Sequence, residues 1–181
     1  MDEEVIKKVQ PNDIKAEQAV IGSMLLDRNM IVEVADILTK DDFYYSQYGL
    51  IFAAMVELYN EGKPVDLVTV SNNLKEMGAP ENVSSMEYIG ETVAVVDYSG
   101  RAKSYAEIVQ DKAILRQMIR FTEETTQECY SGRTKVTDIL DRSEKAIFDI
   151  SQHKSSSTDF VPMKDVALQV LDTIEQNARR K

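Results

Sequence analysis

The chain has 181 residues, a formal net charge of −10, 43% hydrophobic residues, and only 7 glycines and 4 prolines. Its length allows one ordinary domain plus an appendage, and the low glycine and proline content favours helices over strands. A surface this acidic argues against a chain that by itself binds nucleic acid or an anionic membrane strongly, because it repels phosphate groups.

The first hundred residues predict a compact helical head in an all-α fold. Apolar residues recur there at helical spacing between polar stops. The first helix starts after Pro11-Asn12-Asp13 and stops at Asp27. Further helices are predicted over Met30–Leu38, Gln47–Asn60, Asp66–Met77 and a short stretch capped by Ser84 or Ser85. The inward-facing side chains are predicted to include Leu26, Ala35, Leu67 and Met77.

Residues 101–153 predict a long antiparallel helical hairpin within the same domain. Its first helix would have about 30 residues, and Gly132 suits the left-handed residue that ends it before the pattern restarts at Val136.

The first hairpin helix carries two apolar stripes. One contains Ile108, Leu115, Ile119, Thr122 and Cys129, and the other contains Ile114, Met118, Phe121 and Thr125. One stripe can pack on the return helix, and the other needs the core of this chain or a second copy of the hairpin. Together with Ile139 and Ile147, the second stripe is the predicted subunit interface.

Residues 154–161 are polar and serine-rich, which predicts a flexible linker. Residues 162–181 then predict an amphipathic helix, because Pro162 suits a first helical position. Its apolar docking stripe consists of Met163, Val166, Val170, Leu171 and Ile174. A single helix of this length is marginally stable in water, so the stripe implies a receptor groove.

The sequence predicts no catalytic, cofactor-binding or metal-binding residues. It has no glycine-rich phosphate loop, and its one histidine, His153, stands beside the linker without partners. Adjacent carboxylates such as Glu123-Glu124 point apart on a helix and indicate a solvated face. The single cysteine excludes an internal disulfide and a cysteine-based zinc cluster. Without a membrane span or a signal peptide, we expect a soluble, cytoplasmic chain with no membrane partner.

Several segments resemble bacterial replicative DNA helicases of the DnaB family, in order and over essentially the whole chain. They are AEQAVIGSMLLD at 16–27, DFY at 42–44, IFAAM at 51–55, GKPVDLVT at 62–69, YAEIV at 105–109, SEKAIF at 143–148 and FVPMKDV at 160–166. Two departures are Tyr48, where the family usually has histidine, and Ser84-Ser85 in place of a glycine pair.

The resemblance implies an all-helical N-terminal domain whose hairpin pairs with that of another subunit, so that three dimers build the collar of a hexamer. It implies a linker helix that docks on a neighbouring subunit, with ATP and Mg²⁺ used by an ATPase domain absent from these residues. Primase and a helicase loader would be partners, and DNA would be contacted only through the parent assembly. We expect primase to contact Tyr88, Ile119 and Thr125.

An alternative from the residues alone is a stand-alone helical adaptor or dimerisation module. Such an adaptor would remain a dimer, whereas a helicase collar would reach six subunits once an ATPase domain is attached. Light scattering distinguishes the two.

Overall fold

The computed structural model describes residues 9–94 and 101–155, and within these ranges every regular element is a helix. The predicted all-α fold is therefore confirmed. A 3₁₀ helix at Lys40–Asp42 lies between the second and third α-helices. The α-helices are α1 (Ile14–Leu26), α2 (Asn29–Ala35), α3 (Ser46–Asn60), α4 (Leu67–Glu76), α5 (Glu81–Ser84), α6 (Met86–Val93), α7 (Ala102–Ser131) and α8 (Val136–Ser155).

Short polar side chains fix where these helices begin. Asp13 accepts a hydrogen bond from the backbone N–H of Ala16, and Ser85 accepts one from Tyr88. Asp66 forms a capping box with Thr69, in which each side chain bonds the backbone N–H of the other residue. These side chains satisfy N–H groups that the first turn of a helix leaves unpaired. The predicted helix start after Asp13 is confirmed, and of the two serines predicted as alternative caps, Ser85 is the one that caps α6.

The core of the head is built around α1, which packs against α2, α3, α6 and α7. Val20, Ile21 and Met24 on this helix are completely buried. Ala16 and Ala19 are also buried, and their small side chains let neighbouring helices approach α1 closely.

The first turns of α7 belong to this core. Four small or branched residues of α7 are buried in it: Ala102, Ala106, Val109 and Ala113. The amide Nε2 of buried Gln110 donates to the carbonyl of Ile37, 3.0 Å away, which ties α7 to the end of α2. One continuous helix is therefore shared by the head and the hairpin.

Some predicted helix ends and inward positions are wrong. The second helix ends at Ala35 rather than Leu38, yet Ile37 and Leu38 remain buried because the chain turns inward there. The predicted inward residues that are in fact exposed are Leu26, Ala35, Leu67 and Met77. Each lies at the first or last position of its helix or just past it, where neighbouring helices no longer cover the surface.

At its far end, α8 continues through Ser155. The polar linker beyond that point and the predicted helix over 162–181 lie outside the described residues. The docking residues Met163, Val166, Val170, Leu171 and Ile174 are among them.

Candidate protein-docking face of the hairpin

The hairpin turns at Gly132, whose φ of 61° is the left-handed conformation expected from the sequence. Its backbone N–H bonds the carbonyl of Glu128, which closes the last turn of α7. A residue with a Cβ pays a steric cost in this conformation, so glycine suits the position. The predicted antiparallel hairpin is confirmed, because α8 begins at Val136 and packs along α7.

Half-buried residues define the seam between α7 and α8. They recur at spacings of three and four on both helices, as in antiparallel helix packing. The side chain of Arg142 forms an ion pair with Glu128 across the two helices. The seam consists of Ile114, Met118, Phe121 and Thr125 on α7, and Ile139, Ser143, Ala146 and Ile150 on α8.

The predicted subunit-interface residues therefore fall into two groups. Ile139 and the four residues of the second α7 stripe line the seam within one chain, whereas Ile147 is exposed. Of the two stripes that the sequence offered, the second packs on the return helix. The first, with Leu115 and Ile119, remains uncovered. Whether any of these residues contacts another subunit remains a prediction.

An exposed apolar surface runs along one side of the hairpin. Leu115 is 48% exposed and Ile119 is 37% exposed on α7, and on α8 Leu140 is 58% and Ile147 is 53% exposed. These four residues are called the hairpin face below.

Both helices contribute to the same side of the hairpin. Each residue of the hairpin face follows a seam residue by one position, which turns it about 100° further round its helix. Viewed from one end, antiparallel helices wind in opposite senses, so equal turns away from a shared seam bring both pairs to one side. The four large apolar side chains of the hairpin face therefore lie on the same side of the hairpin.

The predicted primase-binding residues lie in three different settings. Ile119 belongs to the hairpin face, Thr125 belongs to the seam, and Tyr88 is half-buried on α6. The hydroxyl of Tyr88 pairs with that of Tyr48, and burial raises the pKa of both phenols. Both therefore remain neutral at ordinary pH.

Tyr88 and the hairpin are connected through a cluster of tyrosines on the head. The ring of Tyr48 meets that of Tyr45 edge-on at 5.7 Å, and Tyr45 meets Tyr44 at 5.2 Å. The guanidinium of Arg116, one turn before Ile119, lies 5.8 Å from the Tyr44 ring. The cluster therefore extends from Tyr88 to the point where the hairpin leaves the head.

Two charged residues that pattern analysis did not single out lie beside this cluster. Glu17 is charged yet only 1% exposed, because it lies on the core side of α1. Arg116 is half-buried on α7. The one indication of these charged residues in the sequence is a glutamate next to Ala16 in an otherwise apolar stripe. A buried carboxylate requires partners, so a charged or polar group had to lie nearby.

Within the described residues, no group of three or more metal-binding side chains comes together. None of the described helices is both long enough and apolar enough to span a bilayer. The arrangement of exposed apolar and aromatic groups is suited to binding proteins.

Comparisons with known proteins agree with this architecture. A family model described as the DnaB-like helicase N-terminal domain matches residues 9–111. The replicative DNA helicase DnaC of Bacillus subtilis (strain 168) is 36% identical over 174 residues. These cover 96% of this chain but only 38% of the relative.

Two solved structures are also similar. The crystal structure of the N-terminal domain of DnaB helicase from Mycobacterium tuberculosis is 31% identical with a TM-score of 0.72, covering 77% of this chain and 99% of that one. The N-terminal domain of DnaB helicase from Helicobacter pylori, described with its interactions with primase, is 20% identical with a TM-score of 0.58. That match covers 65% of this chain and 91% of the other, and it shows the fold.

Proposed function

Because this chain belongs to the DnaB-like helicase N-terminal domain family, we propose that it is the assembly and partner-docking domain of a hexameric replicative helicase. The observation that carries the proposal is the hairpin face, which the chain's own described residues leave uncovered. Burial of such a surface by a second hairpin removes apolar area from water, which favours association.

We further propose that the hairpins pair through this face and that three such pairs form a collar. The twofold symmetry of a pair places Leu115 and Ile119 of one chain against the apolar side chains of its partner. The interface would then be self-complementary, as twofold interfaces are.

The experiment is light scattering on the chain and on two charge-introducing variants. Leu140→Glu should weaken self-association at least about tenfold, because a carboxylate buried between two apolar surfaces loses its hydration. Val68→Glu is the matched control, because Val68 is an equally exposed apolar residue of the head at 56%. An equal loss of association in both variants, or in neither, would contradict the assignment of the interface to the hairpin.

A hexamer requires more than this interface. The chain spans only 38% of the length of the Bacillus subtilis relative, so the remaining subunit contacts would come from the rest of such a helicase. ATP hydrolysis with Mg²⁺, strand separation and contact with DNA would also belong there. A longer chain that carries an ATPase domain should scatter light as six subunits. A stand-alone adaptor would stay at two.

Primase is the partner that we propose for the tyrosine cluster and the adjoining hairpin. Support comes from the exposed rings of Tyr44 and Tyr45 and from the Helicobacter pylori domain of the same fold, which was described with its primase interactions. Aromatic side chains are common anchors of protein interfaces.

The primase proposal is tested by affinity measurements on the predicted residues. Tyr88→Ala and Ile119→Ala should each weaken primase binding, and their combination with Thr125→Ala should weaken it further. Unchanged affinity in the triple variant would exclude this surface. A helicase loader acting on the assembled collar is proposed as the other protein partner.

A further inference from the structure

Arg116 lies where α7 leaves the head. The buried residues of α7 end at Ala113, and beyond this point the helix pairs with α8. The guanidinium of Arg116 donates from Nη1 to the carbonyl oxygen of Pro11, 2.8 Å away. It also donates from Nη2 to the carbonyl oxygen of Asp42. One side chain therefore connects the hairpin to two separate segments of the head.

Glu17 holds the segment that follows Asp42 by separate hydrogen bonds. Its carboxylate accepts hydrogen bonds from the backbone N–H groups of Tyr44 and Tyr45, with N···O distances of 2.8 and 3.3 Å. The Asp42 carboxylate in turn accepts a bond from the backbone N–H of Thr39 at 2.7 Å. The Asp42 carbonyl that accepts from Arg116 therefore belongs to a loop that other hydrogen bonds already hold in place. Arg116 is thus bonded to a fixed part of the head.

A small rotation of the hairpin about Arg116 produces a large displacement at the hairpin tip. Sixteen residues separate Arg116 from Gly132, which corresponds to roughly 24 Å along the helix axis. A rotation of about 10° at Arg116 would therefore move the hairpin tip by about 4 Å. The core of the head and the seam of the hairpin are each packed without using the guanidinium, so either can stay folded when the grip is lost.

We propose that Arg116 is a positioning residue whose hold on the Pro11 and Asp42 carbonyls fixes the direction in which the hairpin leaves the head. Release of this hold lets the hairpin swing while both parts remain folded. The inference concerns the single chain and does not depend on self-association.

The test measures the distance from head to tip by pulsed electron resonance between two spin labels. The exposed natural Cys129 takes one label near the tip, and Asn72→Cys on the exposed side of α4 takes the other. Dilution with unlabelled chain removes distances between molecules. Arg116→Gln removes the guanidinium, and Arg120→Gln is the matched control, because Arg120 is an exposed arginine one turn further along α7.

The expected result is a narrow distance distribution for the parent and for Arg120→Gln. Arg116→Gln should shift or broaden it by about 3 Å, because Cys129 lies roughly 20 Å from Arg116 along the helix axis and a rotation of about 10° acts over that length. Its circular dichroism should stay unchanged. A distribution like that of the parent would overturn the proposal. If Arg116→Gln loses its helical signal, Arg116→Lys decides, because lysine keeps the charge but not the two-pronged grip. Broadening in that variant supports the proposal, and a parental width overturns it.

Discussion

Gly49 of α3 lies directly against the backbone of Lys40 in the 3₁₀ helix. A Cβ added at this position would lie 2.3 Å from the carbonyl oxygen of Lys40, far inside van der Waals contact. We therefore expect Gly49→Ala to lower the free energy of unfolding by about 1–3 kcal/mol, the usual cost of overpacking. Denaturation in urea measures the change.

Gly90 in α6 supplies the control for this prediction. A Cβ there would meet nothing within 4 Å, and alanine is the better helix former. Gly90→Ala should therefore leave stability unchanged or raise it by up to about 1 kcal/mol. Equal destabilisation by both substitutions would show that the close approach at Gly49 is not the cause.

Glu17 gives the domain a specific pH dependence. Burial raises the pKa of its carboxyl, and the N–H groups of Tyr44 and Tyr45 and the charge of Arg116 only partly offset this. A raised pKa means that the folded chain takes up the proton more readily than the unfolded chain. The contribution of Glu17 to stability is therefore complete below the unfolded pKa and is lost as pH rises through the folded one.

Glu17→Gln tests this assignment, because glutamine does not titrate. The free energy of unfolding of the parent minus that of the variant should fall as the pH rises from about 4 to about 7. Urea denaturation at a series of pH values measures the difference, in which the other carboxylates cancel. A difference that grows with pH would mean that the folded pKa of Glu17 is lowered instead.

Among the helices, α7 and α8 show how seam and surface differ in energetic role. Phe121 lies in the seam, so Phe121→Glu should cost about 1–3 kcal/mol and loosen α8 without unfolding the head. Hydrogen exchange should then speed up at the α8 amides while the amides of α1 remain protected.

Tyr130→Glu is the control for the seam, because Tyr130 is 89% exposed on the same helix and lies outside the hairpin face. Its α8 amides should exchange as they do in the parent. If the two variants behave alike, the seam does not run through Phe121.

The sequence predicted the helices better than it predicted their buried faces. Asp13, Asp66 and Gly132 are local signals, because each acts on its own turn of helix. The face that α7 buries in the head was missed, since Ala106 and Ala113 add little to an apolar pattern. Small residues are selected by the closeness of the neighbouring helix, which a pattern within one helix does not report.

The same limit applied to the docking surface. Two stripes on α7 were visible in the sequence, but deciding between Met118 and Ile119 as the exposed one required the position of α8. The grip of Arg116 on Pro11 and Asp42 joins residues more than seventy positions apart. Nothing in the local pattern could indicate these contacts.

At the scale of the whole molecule, the described residues form one hydrophobic core in the head. Its buried members run from Ala16 to Ala113. We expect deletion of Phe160–Lys181 to leave the melting temperature of the head unchanged, because a helix whose receptor groove lies outside the head would add no packing to it. Thermal unfolding followed by circular dichroism measures this. A drop of several degrees would show that the deleted residues cover part of the head.

Because α7 belongs to both the head and the hairpin, the head is completed late in protein synthesis. The first six helices emerge from the ribosome before the residues of α7 that cover α1 do. A nascent chain that pauses at this stage exposes the apolar side chains of the unfinished core to chaperones and to other nascent chains. Ala113 must emerge from the ribosome before the head can close, so the speed at which the residues after it are translated sets how long the unfinished domain is vulnerable.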